Sequence, residues 1–145
     1  MTSASEMETT RLVLRNDLAE LDRLASWLEG WADGNVTPDT SFALQLCLEE
    51  AVANIIMHGA ASEDRCEIAI ELDHDGATLR ARVEDSGRQF DPTRFSPPTP
   101  ATSLASAKVG DLGIRLMRNF ANGMRYERRG GRNRSTFWFA QSLAA

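Results

Sequence analysis

The stretch "EEAVANIIMHG", residues 49–59, sets two adjacent carboxylates ahead of an asparagine and a histidine, with aliphatic residues between them. It is too apolar for a solvated helix face and too polar for plain core. Glu50, Asn54 and His58 stand at i, i+4 and i+8. A helix turns about 100° per residue, so successive members fall about 40° apart and form one stripe. On such a stripe a carboxylate can accept a proton and an amide oxygen can ligate a hard cation. A solvated polar helix edge is the plainer alternative.

The helix carrying this stripe is expected to start at Thr37, a cap followed by Pro38 at the first helical position, and to stop at Gly59. Upstream, "TTRLVLRN" (9–16) alternates like a short strand, and Asn16 or Asp17 can cap a helix bearing Leu21, Leu24, Leu28 and Trp31. Downstream, the alternating segments 66–72 and 78–84 flank Asp75-Gly76, a hairpin signal. "LGIRLMRNFAN" (112–122) has helical spacing, and "GMRYERRGGRNRSTFWFAQSL" (123–143) reads as a closing hairpin turning at "GGRN". This order implies an α+β fold: a two-layer sandwich with helices on one face of a mainly antiparallel sheet.

Length and composition are consistent with that. The 145 residues suit one domain over 9–145, preceded by a loose polar tail at 1–8. Hydrophobic residues are 42% and charged residues 26%, which argues against general disorder. No membrane span and no secretory signal are expected, which points to a cytoplasmic protein. Cys47 and Cys66 then read as small core hydrophobes rather than a disulfide or a metal motif. The charge is uneven. Residues 1–107 hold 8 Arg against 19 acids (−11), and 108–145 hold 7 Arg and 1 Lys against 2 acids (+6). The overall acidity opposes binding to nucleic acid, but a local basic face can meet phosphate groups or an acidic protein.

Two more segments carry candidate chemistry. In "VEDSGRQFDP" (83–92), Asp85 sits where strand becomes loop, and Gly87 permits a tight turn. An Asp there can accept a hydrogen bond from an exocyclic amine such as that of adenine; an ordinary Asp-Ser-Gly turn is the alternative. In "VGDLGIRLMRNF" (109–120), Gly110 and Gly113 open a basic helix whose free amides can bind phosphate, with Lys108 just before it. Between these segments lies a Pro/Ser/Thr-rich stretch that reads equally as a functional lid or an inert insertion.

Taken in order, the three segments resemble the N, G1 and G2 boxes of the GHKL superfamily of ATPases and kinases. Within it, "EEAVANIIMHG", "EDSGRQFDP" and "GDLGIRLMRNF" are most similar to the anti-sigma factor serine/threonine kinases. The resemblance spans about residues 9 to 140 and implies the Bergerat ATP-binding fold. It implies Glu50 as general base, Asn54 as the residue holding Mg2+ against the ATP phosphates, and Asp85 as the adenine acceptor with Gly87 making room. It further implies Gly110, Asp111, Leu112 and Gly113 wrapping the phosphates, Thr136 supporting the adenine side, and residues 93–109 as the ATP lid. His58 takes a supporting role. Asp111 departs from the family, which often has glycine there; it either faces the phosphates or caps the helix outward. Glu49 competes with Glu50, and the family spacing to Asn54 selects Glu50.

The implied activity is phosphorylation of a STAS-type anti-sigma factor antagonist, with a sigma factor as second partner and a homodimer as the assembly. Two alternatives stand beside it: an ATP-binding adaptor without phosphotransfer, and the catalytic part of a split histidine kinase. No direct nucleic acid or membrane partner is expected.

Overall fold

The computed structural model describes residues 9–59, 66–75, 77–93 and 119–140. Its elements are β1 (Thr10–Arg15), α1 (Glu20–Ala32), α2 (Pro38–Asn54), a π-helical turn (Ile55–Gly59), β2 (Glu67–His74), β3 (Thr78–Asp85), β4 (Gly123–Arg129) and β5 (Arg132–Ala140). The strands form one sheet in the order β1-β2-β3-β5-β4, antiparallel at every pairing. Among the described residues, two helices on a five-stranded sheet give the α+β sandwich that the element order implied; the expected helix over 112–122 lies largely outside them.

Strand parity decides what each face does. Leu12, Leu14, Ile68, Ile70, Leu72, Leu79, Ala81, Val83, Phe137 and Phe139 share one core with Leu24, Leu28, Leu44, Cys47, Leu48 and Val52 of the helices. The opposite face carries a ladder of ion pairs. Arg80 meets Asp73 at 3.1 Å, Arg82 bridges Glu71 and Asp73 at 3.2 Å each, and Arg134 meets Glu84 at 3.1 Å. An antiparallel sheet can be covered on one side only, and cross-strand charge pairs suit its solvated side.

Local chemistry explains the element ends. Thr37 Oγ1 accepts from Thr40 N at 3.4 Å and Pro38 opens α2, as its sequence signalled. The start of α1 differs. Asp17 does not cap the helix; its Oδ1 accepts from Ala19 N at 2.9 Å and its carbonyl from Glu20 N at 2.9 Å, forming a turn that feeds a helix starting at Glu20. The last hairpin turns on Gly130 (φ +59°) and Gly131 (φ +76°), both left-handed, as a two-residue turn between twisted antiparallel strands requires. Arg132 and Asn133 of the expected "GGRN" turn therefore already belong to β5.

α2 does not run as one α-helix to Gly59. It converts to π winding after Asn54, and the Ile55 amide donates to the carbonyls of both Ala51 and Val52. The α spacing that joins Glu50 to Asn54 thus ends at Asn54, before His58. Contrary to expectation, Pro38–Met57 is long and apolar enough (20 residues, mean hydropathy 1.2) for a membrane span by length and composition. Its buried face packs on the sheet, which is how the core helix of a folded domain acquires that composition. Cys47 and Cys66 are both buried and free, and burial pushes the Cys47 thiol up to about 12.

Candidate functional site

Where α2 ends and β3 leaves the sheet, a cleft opens between the two layers, with an enclosed volume of only about 20 Å³. Ala51, Asn54 and Ile55 form one wall. Asp85 and the loop residues Arg88, Phe90 and Pro92 form another, with Asn133 and Ser135 of β5 beneath. The lining is an apolar frame with a few convergent polar groups, the usual make-up of a small-molecule site.

Asp85 lies on the helix-facing side because it continues the parity of Leu79, Ala81 and Val83. It is 2% exposed, and burial is the first cause raising its carboxyl above the usual range, opposed by hydrogen bonds from Gly87 and Asn133. Gly87 N donates to Asp85 Oδ1 at 2.8 Å and Asn133 Nδ2 donates to the same oxygen at 3.2 Å. Among the described residues both protein donors therefore fall on Oδ1, leaving Oδ2 as the acceptor for a ligand.

Asn54 is 5% exposed at the last α-helical position of α2, and its Nδ2 has no hydrogen-bond partner among the described residues. A buried amide without a partner costs stability. At the rim of a cleft, that cost marks a group kept for something other than packing. Glu50, one turn earlier, is half-buried; burial first and the adjacent Glu49 second raise its carboxyl above the ordinary value. Glu49 is distinguished by its own partner, accepting from Gln45 Nε2 at 3.4 Å. The two adjacent carboxylates are thus not equivalent.

The structure therefore brings Asn54, Asp85 and Gly87 together, with Glu50 one turn from Asn54. It does not bring Thr136 to them. Thr136 pairs with Arg82, on the ion-pair face, whereas Ser135 pairs with Val83 and Asn133 with Asp85, on the helix face. The cleft residues of β5 are Asn133 and Ser135. Strand parity held the signal: Phe137 and Phe139 mark odd positions as inward. Lys108, Gly110, Asp111, Leu112 and Gly113 lie outside the described residues, as does all of the proposed 93–109 lid except Thr93. Nothing is described of the side chain of His58.

The residues present fit a purine nucleotide. Among the described residues, a carboxylate oxygen without a protein donor sits in an apolar frame, and an unpartnered amide nitrogen lies on the facing helix. They also fit magnesium in a limited way. No cluster of three or more His, Cys, Asp or Glu exists among the described residues, so a cation would rest on the Asn54 oxygen and the nucleotide's own phosphates.

Comparison with known proteins places the chain in a family and agrees with its fold. Residues 14–138 match the model of the histidine kinase-like ATPase domain. The chain is 36% identical over 95 residues to the serine/threonine-protein kinase BtrW of Bordetella bronchiseptica, covering 66% of this chain and 67% of that protein. Among solved structures, the RsbU and RsbW domains of a Mycobacterium tuberculosis protein align with a TM-score of 0.65 at 18% identity, covering 95% of this chain and 34% of theirs. The histidine kinase domain of a blue-light activated kinase from Erythrobacter litoralis aligns with a TM-score of 0.56 at 17% identity, covering 88% of this chain and 61% of that one. The chain thus spans about a third of the first solved relative and under two thirds of the second. At these identities both show the fold alone.

Proposed function

The chain belongs to the histidine kinase-like ATPase domain family, and from that premise we propose that it is an ATP-dependent protein kinase acting on serine or threonine. The observation that carries this reading is the cleft in which Asp85 and Asn54 converge, in a chain related to a protein named a serine/threonine kinase. The proposed substrate is a STAS-type anti-sigma factor antagonist. A sigma factor is the competing partner, a homodimer the assembly and the cytoplasm the location.

In this reading Asp85 Oδ2 accepts the adenine 6-amino group, and the Gly87 turn lets the base approach. Phe90, Pro92 and Ile55 exclude water around the base. Asn54 is positioned to hold magnesium through its amide oxygen; when bound, the cation supplies charge neutralisation at the phosphates. Glu50 orients the attacking hydroxyl and takes its proton. Its raised carboxyl suits that task, because a stronger base accepts a proton more readily. Lys108 and the amides of Gly110, Asp111, Leu112 and Gly113 are proposed to cradle the phosphates.

The test is phosphotransfer from labelled ATP to a purified STAS protein from the same genome. Label on serine or threonine that is lost in Glu50→Ala supports the kinase. ATP binding and partner regulation that both survive Glu50→Ala, with no label transferred, replace it with the adaptor reading.

A further inference from the structure

Asn133 is fixed at both ends of its amide. Its Oδ1 accepts from the Tyr126 hydroxyl and from Arg128 Nη1 at 3.0 Å. Guanidinium can only donate, so this contact fixes which end of the amide is oxygen. Nδ2 must then face the loop after β3. There it donates to Arg88 O at 2.8 Å and Asp85 Oδ1 at 3.2 Å, with Gly87 O at 3.4 Å. Arg128 Nη1 also donates to Gly87 O at 3.1 Å. Tyr126, Arg128 and Asn133 share the helix-facing parity of β4 and β5, so these contacts span three strands from the sheet edge to the cleft.

From this arrangement we infer that Asn133, held by Tyr126 and Arg128, is a positioning residue that sets Asp85 for recognition of a 6-aminopurine. This rests on the nucleotide reading of the cleft and deepens it. Asp85 has two oxygens and one free torsion that interchanges their surroundings. With Asn133 and Gly87 both donating to Oδ1, the carboxylate is pinned with Oδ2 toward the cleft. A pinned acceptor favours an amino group at position 6 of the purine and disfavours a 6-oxo group, whose oxygen would face it lone pair to lone pair. Without Asn133 the carboxylate keeps only the Gly87 amide, and Arg88 O loses the donor that holds the loop to β5, while Gly87 O keeps Arg128. The base-discriminating contact then weakens more than the rest of the site, because Asn54 stands on a different element, α2.

The experiment measures the binding of ATP and of inosine triphosphate to the full chain by calorimetry. Wild type should prefer ATP. Asn133→Ala should lower the ATP-to-inosine-triphosphate affinity ratio about tenfold, the scale of one hydrogen bond to a charged group, while leaving inosine triphosphate affinity little changed. Tyr126→Phe, which removes one of the two donors to Asn133 Oδ1, should lower the ratio in the same direction by less. A folded Asn133→Ala that keeps the wild-type ratio, or weakens both nucleotides in parallel, overturns the inference. If Asn133→Ala does not fold, an unchanged ratio in Tyr126→Phe overturns it. Wild type that binds neither nucleotide brings down the nucleotide reading itself, a result distinguishable from failure of the latch alone.

Discussion

Replacing Asn54 with leucine should separate stability from function in one substitution. Asn54 is 5% exposed and its Nδ2 has no partner among the described residues. An unsatisfied buried amide costs about 1–3 kcal/mol, and leucine of similar length removes it without opening a cavity. Leucine is also the better helix former by a few tenths of a kcal/mol. Against this, the branched end must fit beside Ala51 and Ile55, so a net gain of about 1–2 kcal/mol is expected. Unfolding entropy near 60 °C is about 2.1 cal/mol/K per residue, or about 0.3 kcal/mol/K for this chain, so Tm should rise by about 3–6 °C. Calorimetric scans of the nucleotide-free protein measure this. Titration of the same variant with ATP and magnesium should show magnesium-dependent affinity abolished. A lower Tm in Asn54→Leu would mean that the amide is satisfied in solution. Retained magnesium-dependent binding would mean that the cation is held elsewhere. Either result refutes the reasoning about this residue.

Glu50→Gln should bind ATP as wild type does and lose about 10²–10⁴-fold in phosphotransfer, measured by single-turnover label transfer. The base works only when ionised and its carboxyl is raised, so wild-type rate should fall on acidification at a higher pH than an ordinary glutamate would give, and Glu50→Gln should lack that limb. Asp73→Ala should destabilise by about 1–2 kcal/mol in urea titration. It strips a buried carboxylate from two arginines, but those arginines are themselves 27–32% exposed, so water recovers part of the loss. Gly131→Ala should cost about 1 kcal/mol by the same measurement, because φ +76° strains any residue with a Cβ although open space surrounds it.

The fold was legible because each element carried its own period. The strands alternate, α2 has a cap and a proline where it begins, and the core follows from parity. What the sequence concealed was of two kinds. The π turn after Asn54 leaves no mark in composition, since the run from Ile55 to Gly59 is as compatible with α as with π winding; only packing selects between them. Ser135 and Thr136 both offer a hydroxyl in β5, and a resemblance along the sequence does not separate their faces. In a strand, one position is the difference between two faces. The same parity that identified Phe137 and Phe139 as core assigns Ser135 and Asn133 to the cleft and Thr136 to the ion-pair face. The Asn133 contacts with Asp85, Gly87 and Arg88 had no sequence signal, because they depend on β5 inserting between β3 and β4.

The placement of the buried polar residues argues for the site independently of any relative. Thr40, Asn54, Asp73, Asp85, Asn133 and Thr136 are the buried polar residues described. Thr40 belongs to the start of α2 through Thr37, and Asp73 to the ion-pair ladder with Arg80 and Arg82. Thr136 lies on that same ladder face. The other three, from α2, β3 and β5, converge on one cleft. A chain selected for packing alone would fill those positions with apolar residues, as it does two to four residues away at Val52, Val83 and Phe137. Polar burial by three separate elements at one end of an otherwise apolar layer has no packing cause. The ligand it implies presents a donor near Asp85 and groups that can engage the Asn54 amide at the far end, which is the polarity of a purine nucleotide lying base inward.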